Sequence, residues 1–414
     1  MVRYAIVGAG QRGSGYAEWV ERHPDRARVV AVAEPRAHQR ETLAARHGAQ
    51  AFTTWQDLAA APRLADAVIV TTQDAEHVEP ASALARKGYH VLVEKPLAPT
   101  PEQCVELVEA VTAAGVLFGV CHVMRYRPYT RLVKQLVDDG RIGEIMSVQH
   151  LEPVGHWHHA HSYVRGNWRR GDQASFMLLA KSGHDIDWLR HVVGRPIERV
   201  SSFGALNHFR RENQPAAAAD RCLDCAVEQD CAYSAKRIYL GMLSAGRTGW
   251  PVNVLTDDVT ERGVTTALRE GPYGRCVYAC DNDVVDHQVV AMEFAGGVTA
   301  TFTMTAFTPH SDRRTQIFGT RGFLDGDGTT VQVHDFLTNT TETLAVPTGG
   351  IAADEGHAGG DAGLMDAFTT AVATNDSSHI LSGPAESLES HLAVFAAERA
   401  RLAGTVERVT TAQT

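Results

Sequence analysis

The stretch Val2 to Gly13, VRYAIVGAGQRG, constrains the fold more than any other part of the chain. A short apolar run, Tyr4-Ala5-Ile6-Val7, meets glycines at 8, 10 and 13, and a helix-like segment follows. This is the G-x-G-x-x-G spacing of a strand that turns directly into a helix. Gly8 permits the tight turn. Gly10 lets backbone approach a pyrophosphate, with Gln11 and Arg12 beside it, and Gly13 lets the helix pack close to the strand. The helix N-terminus then faces the phosphate charge. A second apolar run, Val29 to Ala33, ends at Glu34. That lies about 20 residues beyond Gly13, where a carboxylate accepts hydrogen bonds from an adenosine ribose. Together these features predict a dinucleotide site; a ligand-free strand–turn–helix is the plainer alternative.

A chain of 414 residues exceeds one ordinary core, so two domains are expected. Hydrophobic residues at 44% and charged residues at 21% are the balance of a globular protein. A formal net charge of -10 without a long basic run gives no electrostatic basis for binding nucleic acid. No apolar stretch reaches membrane-spanning length, so no membrane association is expected. The first residues enter a strand at once, so no signal peptide is expected, and a cytoplasmic location follows.

Strand and helix signals alternate through about residue 122, which predicts an α/β doubly wound parallel sheet over 1–122. Ligands bind such sheets beyond the carboxyl ends of the strands. Thr71, Thr72, Asp74, His77, Glu94, Lys95 and His122 all fall there. Of these, Thr71, Thr72, His77 and Glu94 are assigned to the cofactor side and His122 to the substrate side. Residues 123–414 read as an α+β domain with an open, mostly antiparallel sheet. Its strands are expected at Val289–Phe294, Val298–Thr305 and Gln316–Phe318, with Gly296-Gly297 as a hairpin turn. A helix is expected from about Phe176 to Val193, and a His- and Trp-rich loop from His156 to Arg169. A Cys-containing insertion spans about 205–285. Helical stretches between about 363 and 403 are expected to pack back toward the first domain.

These residues together resemble the Gfo/Idh/MocA oxidoreductase family, named for glucose–fructose oxidoreductase and inositol 2-dehydrogenase. The carriers are VGAGQRG, Glu94-Lys95-Pro96, Arg125-Tyr126-Arg127-Pro128, His184-Asp185-Ile186-Asp187 and the tail from Ser390-His391 to Glu398. The resemblance implies a Rossmann domain joined to an open-sheet α+β domain, NAD or NADP, and sugar- or cyclitol-like substrates. It places Arg125 and Tyr126 on the substrate side. It also implies an Asp four residues before the catalytic His, but that position is Ala180, followed by Lys181.

Oxidising a secondary alcohol requires a base for the hydroxyl proton. Lys95 is the first candidate, because desolvation and a nearby cationic ring lower an amine pKa. His184 is the second, as proton shuttle or hydroxyl orienter; a core histidine bonded to Asp185 or Asp187 is the alternative. Lys181, about one turn before His184, is expected to reach the same pocket. His158 is taken as a substrate contact within the His156, His158, His159, His161 run, in preference to a metal cluster. Trp168 and Arg169 suit a sugar face and its hydroxyls. Glu34 favours NAD, since a carboxylate repels a 2′-phosphate, although Arg36 could accept one.

Cys222-x2-Cys225-x5-Cys231, with Cys276 and Cys280 further on, is dense for a reduced compartment. A structural zinc on Cys222, Cys225, Cys231 and either Cys276 or Cys280 is expected to organise the insertion. The leading functional expectation is a nicotinamide-dependent sugar or cyclitol oxidoreductase. The alternative is an NAD-dependent glycoside hydrolase working through transient oxidation, elimination and re-reduction. A nicotinamide-binding regulator is a third reading, opposed by the intact Lys95 and His184. A homo-oligomer, dimer or tetramer, is expected through the strands between Val289 and Phe318.

Overall fold

The computed structural model describes residues 1–347 and 357–410. Six strands form the first sheet: β1 (Val2–Val7), β2 (Ala27–Ala33), β3 (Gln50–Phe52), β4 (Ala67–Val70), β5 (His90–Val93) and β6 (Phe118–Val120). Their order is β3-β2-β1-β4-β5-β6, and every pairing is parallel. The order reverses at β1, so a crevice opens beyond its carboxyl end. β4 is buried along its whole length, as a strand covered by helices on both faces must be.

The glycine turn is fixed by close approach. Gly8 has φ +96°, and a Cβ there would lie 2.5 Å from the Thr71 carbonyl oxygen. A Cβ on Gly13 would lie 2.0 Å from the Gly8 carbonyl oxygen, so only glycine lets helix Gln11–Arg22 start against the strand.

The second sheet has nine strands: β7 (Ile145–Pro153), β8 (Ile197–Ala205), β9 (His287–Phe294), β10 (Thr299–Thr305), β11 (Arg314–Gly319), β12 (Gly322–Gly326), β13 (Thr330–Asp335), β14 (Thr340–Ala345) and β15 (Val406–Arg408). The order is β14-β13-β12-β11-β7-β10-β9-β8-β15. β7 and β10 run parallel, and all other pairs are antiparallel. Gly296 and Gly297, both near φ +80°, turn β9 into β10 as expected. Along β9, Val290, Met292 and Phe294 face the core and Val289 faces out. Helices Gly183–Val193 and Pro384–Ala403 cover one face. The other leaves Phe203 72% exposed.

Two local expectations are corrected. The helix expected over Phe176–Val193 is broken into Met177–Ala180 and Gly183–Val193. The Asp185 and Ile186 N–H groups turn back to the Ser182 carbonyl, so the second helix restarts there and leaves the Ala180 carbonyl free of it. The His-rich loop is instead a short helix, His156–His159, running into a π-turn at Ala160–Arg165.

The chain's end returns to the first sheet. Tyr4 Oη pairs with Thr369 Oγ1 at 2.9 Å on helix Gly360–Thr374. The Val120 N–H donates to the Ser382 carbonyl at 3.0 Å. The insertion also has an apolar core of its own, including Ile238, Tyr239, Met242, Val252, Val264 and Leu268. Packing therefore organises a segment for which a metal clip was expected.

Because Gly13 faces backbone, Gly13→Ala is expected to destabilise the protein by about 1–3 kcal/mol and to weaken NADH binding. Denaturant unfolding and nucleotide fluorescence titration check both; a wild-type midpoint would overturn the close-approach argument.

Candidate active site

The strand ends build a cradle for a dinucleotide. Thr71 Oγ1 donates to the Gly8 carbonyl at 2.6 Å and holds the turn against β4. Thr72 Oγ1 donates to the Glu76 carbonyl at 2.9 Å. Gly10 begins helix Gln11–Arg22 with no side-chain cap and no acidic residue in the first turn. A Cβ on Gly10 would meet nothing nearer than Arg36 Nη2 at 3.7 Å, so this flank is open. An open glycine beside uncapped helix N–H groups fits a pyrophosphate.

Glu34, 3% exposed, marks the adenosine end. It accepts the Ala9 N–H at 2.8 Å and the Arg36 Nε at 2.7 Å. Burial pushes its pKa up, but bonds from Arg36 and Ala9 outweigh this and leave it below the usual range.

Arg12 ties three segments together. Its Nε donates to Glu94 Oε1 at 2.5 Å, and its other nitrogens donate to Asp361 at 2.7 and 3.0 Å and to Tyr16 Oη. Glu94 also accepts from Tyr16 Oη and the Lys95 N–H, each at 2.9 Å. Glu94 is thus a structural hub with its acceptors engaged, where the sequence suggested a cofactor contact. His77 likewise bonds to the Pro96 carbonyl at 2.6 Å and the Thr72 carbonyl at 3.2 Å, so it pins the loop.

Lys95 Nζ donates to the freed Ala180 carbonyl at 2.5 Å. Burial lowers the Lys95 pKa first; Asp74 and Glu94 oppose this, and Lys181 and Arg12 reinforce it. His184 is 6% exposed, and its Nδ1 is buried without a hydrogen-bond partner. Burial, then Lys95, His357, His122 and Arg313, push the His184 pKa well below its ordinary value. The His122 ring lies 6.2 Å from that of His184, and burial brings its pKa down to about 3. His391, beside His122, accepts the Leu97 N–H at 3.0 Å and donates to the Ser387 carbonyl at 2.7 Å.

The far wall comes from the second domain. Lys181 Nζ pairs with Glu152 at 3.0 Å, and Arg313 Nε pairs with Glu152 at 2.6 Å and Asp185 at 2.8 Å. His158 faces this group: burial foremost, then Lys181 and His310, hold its pKa well below the ordinary value. Trp250 of the insertion packs on Trp157, His158 and His161 at 5.3, 4.9 and 5.4 Å. Gln11 Nε2 donates to Asn253 Oδ1 at 3.3 Å, so the insertion also reaches the glycine turn.

Several expected residues are used elsewhere. Arg125, 0% exposed, is paired with Asp187 at 2.7 and 2.8 Å and with Glu386. Tyr126 Oη holds Ser382 Oγ and the Leu381 N–H, both at 2.9 Å. Both residues tie the segment after β6 to distant parts of the chain, and both are buried. Arg169 pairs with Asp281 at 3.0 Å, and Trp168 stands partly exposed beside Tyr163. Lys181 does not act on His184, because the helix break turns it toward Glu152. Glu152, Arg313, His357 and Asp361 were missed. No local spacing signals them: Asp361 meets Arg12 across 349 residues.

The zinc expectation is not supported. Cys222, Cys225, Cys231, Cys276 and Cys280 are free thiols. Among the described residues, no group of three or more His, Cys, Asp or Glu side chains is arranged to hold a metal ion. Arg165 donates to Cys222 Sγ at 3.5 Å and Gln214 donates to Cys276 Sγ at 3.7 Å, so these sulfurs serve as acceptors within a packed insertion. Burial pushes the Cys280 thiol up to about 11.

Comparison with known proteins agrees with this arrangement. The family model described as "Oxidoreductase family, NAD-binding Rossmann fold" matches residues 2–122. The model described as "Oxidoreductase family, C-terminal alpha/beta domain" matches residues 134–383. The chain belongs to the Gfo/Idh/MocA oxidoreductase family. It is 31% identical to 2,7-anhydro-N-acetylneuraminate hydratase of Escherichia coli over 49% of this chain and 53% of that protein. It is 34% identical to inositol 2-dehydrogenase 3 of Saccharopolyspora erythraea over 34% of this chain and 42% of that protein. The matches thus span about half the length of these curated relatives. The structure of levoglucosan dehydrogenase in complex with NADH shares the fold, at a TM-score of 0.74 with 18% identity over 99% of both chains.

Burial makes the site sensitive to acid. The pKa values of His122 and His161 fall to about 3 and those of His159 and His391 to about 4, from an ordinary 6.5, chiefly through burial. Below pH 6.5 the unfolded chain binds protons that the folded chain refuses, so their contribution is full above that pH and is lost as pH falls toward 4 and 3. The expected slope is on the order of 1 kcal/mol per pH unit for each such histidine. Urea unfolding across this range checks it, and a midpoint flat from pH 6.5 to 4 would overturn it.

Proposed function

We propose that this protein transfers hydride between a hydroxyl of a sugar, sugar derivative or cyclitol and a nicotinamide dinucleotide, with NAD preferred over NADP. The observation that carries this reading is Lys95, a half-buried amine just beyond the end of β5, held by the Ala180 carbonyl and adjacent to a neutral His184. A bound nicotinamide supplies the hydride acceptor. The glycine turn and the N-terminus of helix Gln11–Arg22 hold the pyrophosphate, and Glu34 takes the ribose hydroxyls. Arg36 is already engaged by Glu34 through two nitrogens, at 2.7 and 3.1 Å, which leaves a 2′-phosphate facing a satisfied guanidinium and a carboxylate.

Lys95, with its pKa lowered, takes the hydroxyl proton as the carbonyl forms. Uncharged His184 orients the same oxygen. Lys181, Glu152 and Arg313 form a neutralised polar wall with donors and acceptors for further hydroxyls, and His158 and Trp168 flank it. The division of roles falls near residue 122, with the cofactor before it and the substrate after. The free thiols support a reducing, cytoplasmic setting. The bare sheet face around Phe203 and Val289 supports a homo-oligomer.

A redox-neutral variant, in which the same site oxidises, eliminates or adds water, and reduces again, has one specific support. Relatives of Escherichia coli and Mediterraneibacter gnavus are named 2,7-anhydro-N-acetylneuraminate hydratase. Incubation with myo-inositol, levoglucosan, 1,5-anhydro-D-fructose and aryl glycosides, while following NADH and aglycone, separates the two. Net change in NADH supports the dehydrogenase; aglycone release or water addition without it supports the variant. Lys95→Ala is expected to lower turnover by on the order of 10²–10⁴-fold with NADH affinity little changed. Wild-type turnover in Lys95→Ala would sink both readings.

A further inference from the structure

The site lacks a side-chain acid where the family resemblance places one, since Ala180 contributes only a backbone carbonyl. Yet the proton that Lys95 takes must leave a buried pocket. His184 sits next to Lys95 electrostatically and has an unpartnered buried Nδ1. The groups that face it are Lys95, His122, Arg313 and His357. Three of these do not lead out: His122 is buried, Arg313 is held by Glu152 and Asp185, and Lys95 is the donor.

His357 is different. Its ring centroid is 5.9 Å from that of His184, and its side chain is 38% exposed. Its Nδ1 pairs with Asp361 Oδ2 at 3.1 Å, one helical turn on. In the neutral ring that bond takes the Nδ1 proton and leaves Nε2 as an acceptor. Asp361 is itself gripped by Arg12; burial pushes its pKa up, but His357 and Arg12 hold it far below the usual carboxylate range. A carboxylate behind a histidine stabilises the imidazolium that forms when a proton arrives.

The placement is forced by packing. A Cβ on Gly360 would lie 2.5 Å from the Val123 carbonyl oxygen, so the start of helix Gly360–Thr374 is pressed against the segment that follows β6. His357 and Ala358 adopt φ near +50°, a left-handed conformation that few non-glycine residues take.

We propose that His357, backed by Asp361, is the proton exit of this active site and supplies from the C-terminal domain the acid–base partner that Ala180 lacks. The inference rests on the oxidoreductase reading above. In the oxidative direction the substrate O–H bond breaks and its proton binds Lys95 Nζ. Lys95 passes a proton to one nitrogen of His184, and His184 releases one from the other nitrogen. His357 Nε2 receives it, directly or through one water, and gives it up to solvent. The relay returns to its starting protonation, and only the hydride leaves with the nicotinamide. Reduction runs the same path inward.

Two variants test this. His357→Asn keeps a donor for Asp361 but has no second nitrogen; His357→Ala opens a space that free imidazole fills. Both are expected to lower kcat by at least about tenfold, with KM and NADH affinity near wild type, using whichever of myo-inositol, levoglucosan or 1,5-anhydro-D-fructose the protein turns over. Added imidazole is expected to restore His357→Ala and not His357→Asn. Wild-type kcat in either variant, or a loss in His357→Ala that imidazole does not restore, overturns the relay. If Lys95→Ala also turns over normally, the oxidoreductase reading fails first; if only the His357 variants are silent, the relay alone fails. A second measurement needs no substrate: in NMR of ring-labelled histidines, removing His357 is expected to raise the His184 titration midpoint. An unchanged His184 titration in His357→Ala overturns the coupling on which the relay depends.

Discussion

The guanidinium of Arg12 is the interaction on which the rest of the structure depends. It sits inside the glycine motif, in the first turn of helix Gln11–Arg22, and bonds Glu94 of the Glu-Lys-Pro segment and Asp361 of the C-terminal helix. One side chain therefore sets the glycine turn, the end of β5 and the second domain relative to each other. Glu94 is buried and satisfied only because Arg12, Tyr16 and the Lys95 N–H surround it. Removing Arg12 would leave the buried Glu94 charge unmatched. Such a knot does more to hold a geometry than to add stability.

The same logic runs through the second domain. Arg125 with Asp187, Arg313 with Glu152 and Asp185, and Tyr126 with Ser382 are buried polar links between segments far apart in the chain. Near Lys95 and His184 burial works against charge: it lowers the Lys95 pKa, and with the Lys95 charge it pushes the His184 pKa well below its ordinary value. Interrupting the helix frees the Ala180 carbonyl to accept from Lys95 Nζ.

The insertion is more than an appendage. Trp250 packs on the histidine segment and Asn253 bonds Gln11, so one stretch touches both the substrate wall and the glycine turn. Its own apolar cluster keeps it in place. The cysteines lie within that packing, with Arg165 donating to Cys222.

The Rossmann sheet and the glycine turn were legible in the chain because they follow local rules: continuous apolar runs for strands covered on both faces, glycines where a Cβ would clash, and polar residues such as Glu34 and Lys95 at strand ends. The hairpin at Gly296-Gly297 was legible for the same reason. For Arg125, Tyr126 and His77 the sequence could not decide, because a polar residue near a strand end looks the same whether it meets a ligand or a distant part of its own fold. The partners that decide between those fates, Asp187, Ser382 and Pro96, are set by the fold. His357, Asp361, Glu152 and Arg313 carry no spacing that marks them, because they reach the site from separate elements, with Asp361 meeting Arg12 across 349 residues. By itself the sequence determined the dinucleotide-binding fold and set Lys95 at a strand end. Only the tertiary structure decided which charges are matched and which carbonyl holds that lysine, because burial and long-range pairing are properties of packed neighbours and not of residue order.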